Sequence, residues 1–512
     1  MAQVNNFEKD IEYRAHRNAI YRRDATELYS YEGTSEDLID DKAQISKFIR
    51  HHIEAQAPRL NMLNDYYEGL NFNIMRNQRR LEKHLADNRA SHDFASYIAD
   101  FINGYFLGHA IQVQADKDNA QKTLDQLHDI NDIDTHNRSI GLDLSIYGRA
   151  FEYVLRSEDD EVRIYKSDAR NTFVVYDNTI EQNSLIAVRY WEAARNKDDV
   201  QGENIIYNID VITPNATHFY KGSVVTNFEL SERKPSEPHS FNRVTITEFM
   251  NNEKRRGDFE KVIPLIDLYD NVQSDTANYM NDLNDAMLLI KGNVDLGDEN
   301  LVKLQKEANI FHLIPPEYQK DDMSVNEGNV DAEYIYKQYD VSGVESYKNR
   351  INDNIHMFTN TPDMTDENFS GTTSGEAMKY KLFGLEQRAA IKEGLFRKGL
   401  RRRYKLVSEI MGINREINAD DLKGLVFTFT RNLPKSIKED MEMYLSAGGK
   451  LSQSTLMTLV SFIDNPQQEL DKIQDEEDKE IEQSDKRMYN EQFTQNQQSE
   501  GIDDNQEQKE GW

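Results

Sequence analysis

The spacing of hydrophobic and polar positions changes character several times along this chain. From Asp41 onward apolar residues recur at helical spacing, with Ile45, Phe48, Ile49, Ile53 and Ala57 on one stripe. Helical segments continue through Phe94–Leu107, Asn119–Ile130 and Asn137–Ile146. Between Arg149 and Thr247 the period shortens. FEYVLR, VRIYK, TFVVYD, LIAVRYW, IIYNIDVIT, THFYKG and VTNFEL are brief, rich in β-branched and aromatic residues, and separated by turn-formers such as EDDE, DNTI and TPNA. This pattern predicts an antiparallel, β-rich portion with charged edges. Residues 1–40 are polar and mixed, and predict an arm with little core of its own.

A polar link, NNEKRRGD, precedes the longest helical patterns. Pro264 suits a first helical position. From there Leu265, Tyr269, Val272, Tyr279, Leu283 and Met287 form an apolar stripe, while Asp267, Asp270, Asp275, Asp282 and Asp285 are expected on another face. Such a helix over residues 264–290 would span about 40 Å. Met287–Lys291 and Glu333–Gln338 read as strands, flanking a short helix over Glu299–Ala308 and a turn at Pro315–Pro316. The second helix opens on Ser342-Gly-Val-Glu345, a capping-box pattern, and stops before Pro362. Next comes TPDMTDENFSGTTSG, dense in turn-formers. A second capping box at Thr373–Glu376 starts a helical run to Met411, with Gly384, Gly394 and Gly399 predicting a bend. Shorter helices are expected over Lys435–Leu445, Ser454–Ile463 and Gln467–Met488. Beyond them a Gln/Glu/Asp/Asn-rich tail, 489–512, has the composition of disorder. The fold class read from the residues is mixed α+β, predominantly helical.

At 512 residues the chain exceeds what one core supports, so several domains are expected. A net charge of −30 argues against a sequence-independent nucleic-acid binder that grips phosphates with surplus Lys and Arg. It is compatible with a wall that repels a passing polyanion. The chain has no cysteine, which removes disulfides, thiolate metal ligands and thiol catalysis. The N-terminus lacks an apolar signal core. Phe94–Val113 is interrupted by Asp100, Asn103 and His109, so no membrane span is expected.

No catalytic pattern survives inspection. AGGKLS at 447–452 lacks the P-loop spacing, with Tyr444 and Leu451 in the required Gly and Ser/Thr places. GTTSG at 371–375 carries Thr373 where a nucleophile elbow needs Ser. His51 and His52 point about 100° apart on a helix, poor geometry for sharing a metal. No cofactor, metal site or enzymatic activity is expected. One basic run stands out: Arg397, Lys398, Arg401, Arg402, Arg403 and Lys405. It reads either as a solvated or salt-bridged helix end, or as a contact to a neighbouring copy or to DNA phosphates.

Several long segments resemble portal proteins of long-tailed bacteriophages that infect Gram-positive bacteria. They are DYYEG at 65–69, SYIADFINGYFLG at 96–108, NRSIGLDLSIYGRAFEYV at 137–154, KVIPLIDLYDNVQSDTANYMNDLNDAMLLIKGN at 261–293, and NFSGTTSGEAMKYKLFGLEQRAAIKEGLFRKGLRRR at 368–403. The resemblance implies one subunit of a ring, typically a dodecamer, with a central channel at one capsid vertex. In that frame 1–40 is an arm and 41–256 the wing, helical over 41–148 and β-rich over 149–256. Residues 257–287 and 341–361 are stem helices around the clip, 288–340, and 362–375 is the tunnel loop. Residues 376–433 are a long kinked helix returning to the wing, and 434–488 the crown helices. The implied role is entry of double-stranded DNA during packaging and its exit at infection. Implied partners are the terminase large subunit, scaffolding and major capsid proteins, and a head-completion adaptor. The virion is the implied location, with assembly in the host cytoplasm. Asp363, Thr365, Asp366, Glu367, Asn368, Ser370, Thr372 and Thr373 would face DNA, and the acidic residues of the first stem helix would line the channel. The loop has no Lys or Arg, so contact through polar groups and sterics is expected there. The rival reading is a head–tail adaptor or scaffold subunit that never touches DNA.

Overall fold

A computed structural model describes residues 19–432 apart from 20, 76–85, 158, 160, 194–204, 224–227, 283–286, 292–309, 314–330, 336–339, 365–381, 414–421 and 423, with short stretches between 445 and 481 beyond them. The chain divides into Met1–Asn432 and Leu433–Trp512. In the second unit, helix α11 (Gln453–Thr458) and the described residues of 469–481 are helical. Leu445 is helical, and the rest of the expected helix over Lys435–Leu445, the 489–512 tail and nearly all of AGGKLS lie outside the described residues.

The first unit is built on a six-stranded sheet, order β1-β5-β6-β7-β8-β9, formed by Tyr29–Tyr31, Thr172–Asp177, Ser184–Glu192, Ile206–Ile212, Ala216–Ser223 and Ser231–Pro238. Strand β1 joins β5 in parallel and the other pairs are antiparallel. One face of this sheet, with Phe173, Ile186, Val188, Ile209 and Val211, packs on Leu38 of helix α1 (Ser35–Asp40) and on Ile45 and Ile49 of α2 (Lys42–His51). The expected polar arm is thereby corrected from Tyr29 onward. Its alternating Tyr29-Ser30-Tyr31 is too short to register as a strand alone, yet Tyr29 and Leu38 sit in the core. Strand β9 reads SERKPSEP and carried no strand signal. As an edge strand it tolerates two prolines and exposed charges, which also discourage a further strand from pairing. Within VTNFEL, Phe228 is a turn residue at φ +56° and Glu229 and Leu230 lie outside any strand.

Helix α2 runs through a π-turn at His52–Gln56 into α3 (Ala57–Tyr67). Pro58 has no N–H to give and its ring crowds the preceding turn, so the extra residue is inserted just ahead of it. Helices α4 (Phe72–Met75), α5 (Phe94–Leu107), α6 (Asp118–Asn131) and α7 (Ile133–Tyr147) complete the N-terminal helical layer, in which α7 packs along both α3 and α5. The α5 contact is close at Gly141, where a Cβ would lie 2.3 Å from Asn103 Oδ1. A second sheet, order β10-β3-β4, is formed by Ile246–Met250, Arg149–Arg156 and Val162–Ser167. Gly148, at φ +81°, turns α7 into β3. A short pair joins β2 (Gln112–Gln114) to β14 (Val426–Thr428).

The chain then leaves through α8 (Ile263–Asp282) and returns through α9 (Val341–Thr359). Between them lies a three-stranded sheet, order β12-β11-β13, of Ile310–Leu313, Met287–Lys291 and Asp331–Ile335. The two helices run antiparallel: Val272 and Asp275 of α8 lie beside Gly343, Val344 and Tyr347 at the start of α9, while Phe94 meets both Tyr269 nearer the start of α8 and His356 near the end of α9. Asp340 caps α9, accepting from the Gly343 N–H at 2.9 Å. This corrects the capping box expected at Ser342, because a carboxylate two residues earlier already takes the first free N–H. Glu299–Ala308 and the Pro315–Pro316 turn lie outside the described residues.

Helix α10 (Phe383–Ile413) runs as one helix through Gly384, Gly394 and Gly399, the positions at which a bend is expected. At Gly399 the reason for glycine is packing. A Cβ there would come 2.4 Å from the Phe249 ring of β10, so the residue lets the helix lie close to the sheet. The N-terminal part of the predicted run, from Glu376, lies outside the described residues.

Candidate conduit-facing elements

The acidic residues expected on one face of α8 point in different directions. At 3.6 residues per turn Asp270 and Asp275 lie about 140° apart around the axis. Asp270 is fully buried. Its carboxylate accepts from Asn71 Nδ2 at 2.5 Å and from the His92 backbone N–H at 3.1 Å, and meets His92 Nδ1 at 2.7 Å. Asp267 accepts from the Tyr66 hydroxyl at 2.6 Å and from Asn73. Burial, then the Asp267 charge, pushes the Tyr66 phenol up. One and two turns further along, Ser274 Oγ accepts from the Ala90 N–H at 2.9 Å and Asn278 Oδ1 from the Asn88 N–H at 2.7 Å. Residues 270, 274 and 278 therefore form a stripe at helical spacing that receives the backbone of 88–92, and Asp267 continues it to the side chains of Tyr66 and Asn73. As channel lining, Asp267 and Asp270 are corrected. A row of short polar side chains supplies the acceptors that an extended segment needs when it lies on a helix. Asp275 is exposed, the Asp282 side chain is not described, and Asp285 lies outside the described residues.

The basic run on α10 is divided too. Arg403 is fully buried and bound through its guanidinium to Glu152 of β3, with Asn137 Oδ1 accepting from Nη1 at 2.9 Å. His136 Nε2 lies 2.9 Å from the same carboxylate. Burial would raise the Glu152 carboxyl, but Arg403 and His136 outweigh it and hold it down at about 2. Arg402 donates to Ser184 Oγ at 2.5 Å and to the Val244 carbonyl at 3.1 Å. Arg397 donates to Glu393 one turn back at 2.6 Å. The contact to DNA or to a neighbouring copy is thus corrected for Arg402 and Arg403, whose charges are spent on the chain's own strands. Lys398 and Arg401 are exposed.

Sequence reasoning missed the partner of this staple. Lys392, one helical stretch earlier, is buried against Asp258, with Nζ 2.6 Å from Oδ2 and 2.9 Å from Ser145 Oγ. Burial opposes the Asp258 charge, and Lys392 with Arg388 outweighs it, so that carboxyl is lowered. Arg59 of α3 forms a third buried pair, donating to Glu260 at 2.9 and 2.6 Å immediately before α8. The signal was present: Leu385, Ala389, Lys392, Phe396, Leu400, Arg403 and Val407 all fall on the buried stripe of α10.

Of the predicted loop, Asp363 is described. Its Oδ2 accepts from Asn352 Nδ2 at 2.8 Å, and the preceding Pro362 carbonyl accepts from the Tyr97 hydroxyl at 2.8 Å. Asn360, at φ +55°, ends α9. Thr365, Asp366, Glu367, Asn368, Ser370, Thr372 and Thr373 lie outside the described residues. Among the described residues no group of three or more His, Cys, Asp or Glu is placed to hold a metal ion, and no helix is long and apolar enough to cross a membrane.

A helix leaves the body of the first unit, a small sheet follows, and an antiparallel helix returns beside the first; comparison with known families decides what such a chain is. The family model described as phage portal protein, SPP1 Gp6-like, matches residues 46–483. The chain belongs to this portal protein family. Among its relatives, the portal protein of Bacillus phage SPP1 is 23% identical over 415 residues, covering 78% of each chain. The portal protein of Clostridium phage phiCD119 is 24% identical over 405 residues, covering 77% of this chain and 86% of the relative. Both phages are named for Gram-positive hosts, as the sequence resemblance implied. The portal family is structural, and its members are components of the phage capsid vertex.

Proposed function

We propose that this portal protein assembles side by side into a ring, typically a dodecamer, whose central channel passes double-stranded DNA during packaging and ejection. The observation that carries the reading is the surface of the α8–α9 pair. Leu268, Met280, Val341, Tyr347, Met357 and Phe358 stand 43–60% exposed on it. Large apolar side chains spread around a helix pair suit packing between neighbouring copies, and a heterologous contact repeated by rotation closes a ring. In this reading the body up to about residue 256 is the wing and α8 with α9 the stem. The small sheet is the clip that docks the terminase large subunit and later the head-completion adaptor. The segment 362–375 is the tunnel loop, α10 ties it to the wing, and 434–488 is the crown. Scaffolding and major capsid proteins meet the wing during assembly in the host cytoplasm. No enzymatic step is assigned to the chain.

Asp275 and the loop residues from Asp363 onward are the proposed channel-facing groups, and Lys398 and Arg401 the proposed contacts to a neighbouring copy. An acidic wall favours sliding over binding, because it offers phosphates no counter-charge. The test is deletion within 364–372 in a packaging system. Proheads are expected to incorporate the portal and to package or retain little DNA. DNA filling at the wild-type level, or loss of ring assembly, would overturn the loop assignment.

A further inference from the structure

At the start of α5 a cavity of about 320 Å³ opens between His92, Asp93, Phe94 and Tyr97 on one side and His356 and Asp363 on the other. Its walls are rings. The His356 imidazole meets Tyr97 edge-on at a centroid distance of 5.7 Å and Phe94 at 6.3 Å. Its polar groups are the Asp93 and Asp363 carboxylates, the His92 and His356 imidazoles and the Asn352 amide. Asn352 fixes Asp363 in place, while Asp93 occupies the N-cap position of α5 without making the cap hydrogen bond and is exposed. Among the described residues no Lys or Arg lines the cavity. Burial lowers the affinity of His356 for a proton, against the opposing Asp363 charge, so the imidazole stays neutral near pH 7. The last turn of α9, which carries His356, adds the negative end of a helix dipole.

Aromatic faces beside carboxylates select a cation that has an apolar body. Cation–π attraction holds the charge and the rings accept the methylenes. The size lies at the lower end of small-molecule sites. We propose that this cavity is a binding site for an alkylammonium group, supplied either by a free polyamine or by a lysine side chain of a neighbouring copy. The inference goes beyond the conduit reading and does not depend on it, since binding is read on the purified chain itself.

The experiment is titration calorimetry of the full-length protein with spermidine, on assembled and on dissociated material, with Mg²⁺ as the control for charge alone. Saturable binding of one spermidine per chain, unaffected by equimolar Mg²⁺, is expected. Asp93→Asn should weaken it roughly threefold, the scale of an exposed ion pair, and Phe94→Leu roughly two- to fivefold. Circular dichroism spectra and melting curves like those of the parent would show that both variants fold. Binding to both forms identifies a free amine as the occupant. Binding to dissociated chains alone, with assembly weakened by Asp93→Asn, identifies the neighbour's lysine. Absence of binding to either form, or binding indifferent to both substitutions, overturns the proposal.

Discussion

Replacing Arg403 with methionine separates two accounts of the basic run on α10. If Arg403 faced DNA or solvent, its loss would leave folding untouched, since surface substitutions usually fall within about 0.5 kcal/mol. In the structure it is fully buried and its guanidinium binds the equally buried Glu152, with Asn137 accepting a further hydrogen bond. Methionine fills much of the volume but strands a carboxylate with the His136 ring nitrogen, 2.9 Å away, as its remaining close partner. Breaking one side of such a pair costs about 3–5 kcal/mol, a large share of the roughly 5–15 kcal/mol that holds a typical domain folded. The assay is equilibrium urea unfolding of the full chain, with Lys398→Met as the exposed control on the same helix. The sign of the pH dependence gives a second readout. In the parent protein the Glu152 carboxyl is held down at about 2 from an ordinary 4.5, so its contribution is present above pH 4.5 and is lost as pH falls toward 2. In Arg403→Met burial dominates and raises that carboxyl, so the variant should gain stability relative to the parent as pH falls from 7 to 5. Equal unfolding midpoints for Arg403→Met and Lys398→Met would refute the reasoning.

Two further outcomes follow from the same geometry. Asp270→Ala removes the buried acceptor of Asn71 and His92 and should destabilise by about 2–4 kcal/mol in urea unfolding, because the partly buried His92 N–H loses its acceptor. Burial, only partly offset by Lys166, raises the Asp143 carboxyl to about 6 from an ordinary 3.8. The folded state therefore binds more protons than the unfolded between about pH 4 and 6, and this group's contribution to stability declines as pH rises through that window. Asp143→Asn should flatten that decline in melting temperature against pH.

The broad plan was legible because it is written in periodicity. Helical stripes, the run of short strands from Arg149, and the excursion from Pro264 to Thr361 all follow from spacing that local sequence imposes. What escaped depends on partners distant in the chain. Strand β9 is held by β8, and its Pro235 and Pro238 are tolerable only because one edge is open. Lys392 and Arg403 sit on the apolar stripe of α10, but charged side chains read as surface until Asp258 and Glu152 are known to lie opposite. The aspartates of α8 were grouped as one face. The angular positions of Asp270 and Asp275 already separated them, while the role of Asp267 and Asp270 in receiving residues 71–92 needed the fold. Gly399 is a weakness in an isolated helix, but the ring of Phe249 makes it a necessity of close packing here.

The central claim is that copies of this chain surround a hole with the α8–α9 pair toward it. Electron cryomicroscopy of the assembled full-length protein, viewed down its symmetry axis, tests this most directly. The account predicts a closed ring with an axial opening, the α8–α9 pairs side by side around it, Asp275 toward the opening, and Met357 and Phe358 in subunit contacts. A particle without an axial opening, or a ring that carries α8 and α9 on its outer rim, would contradict it.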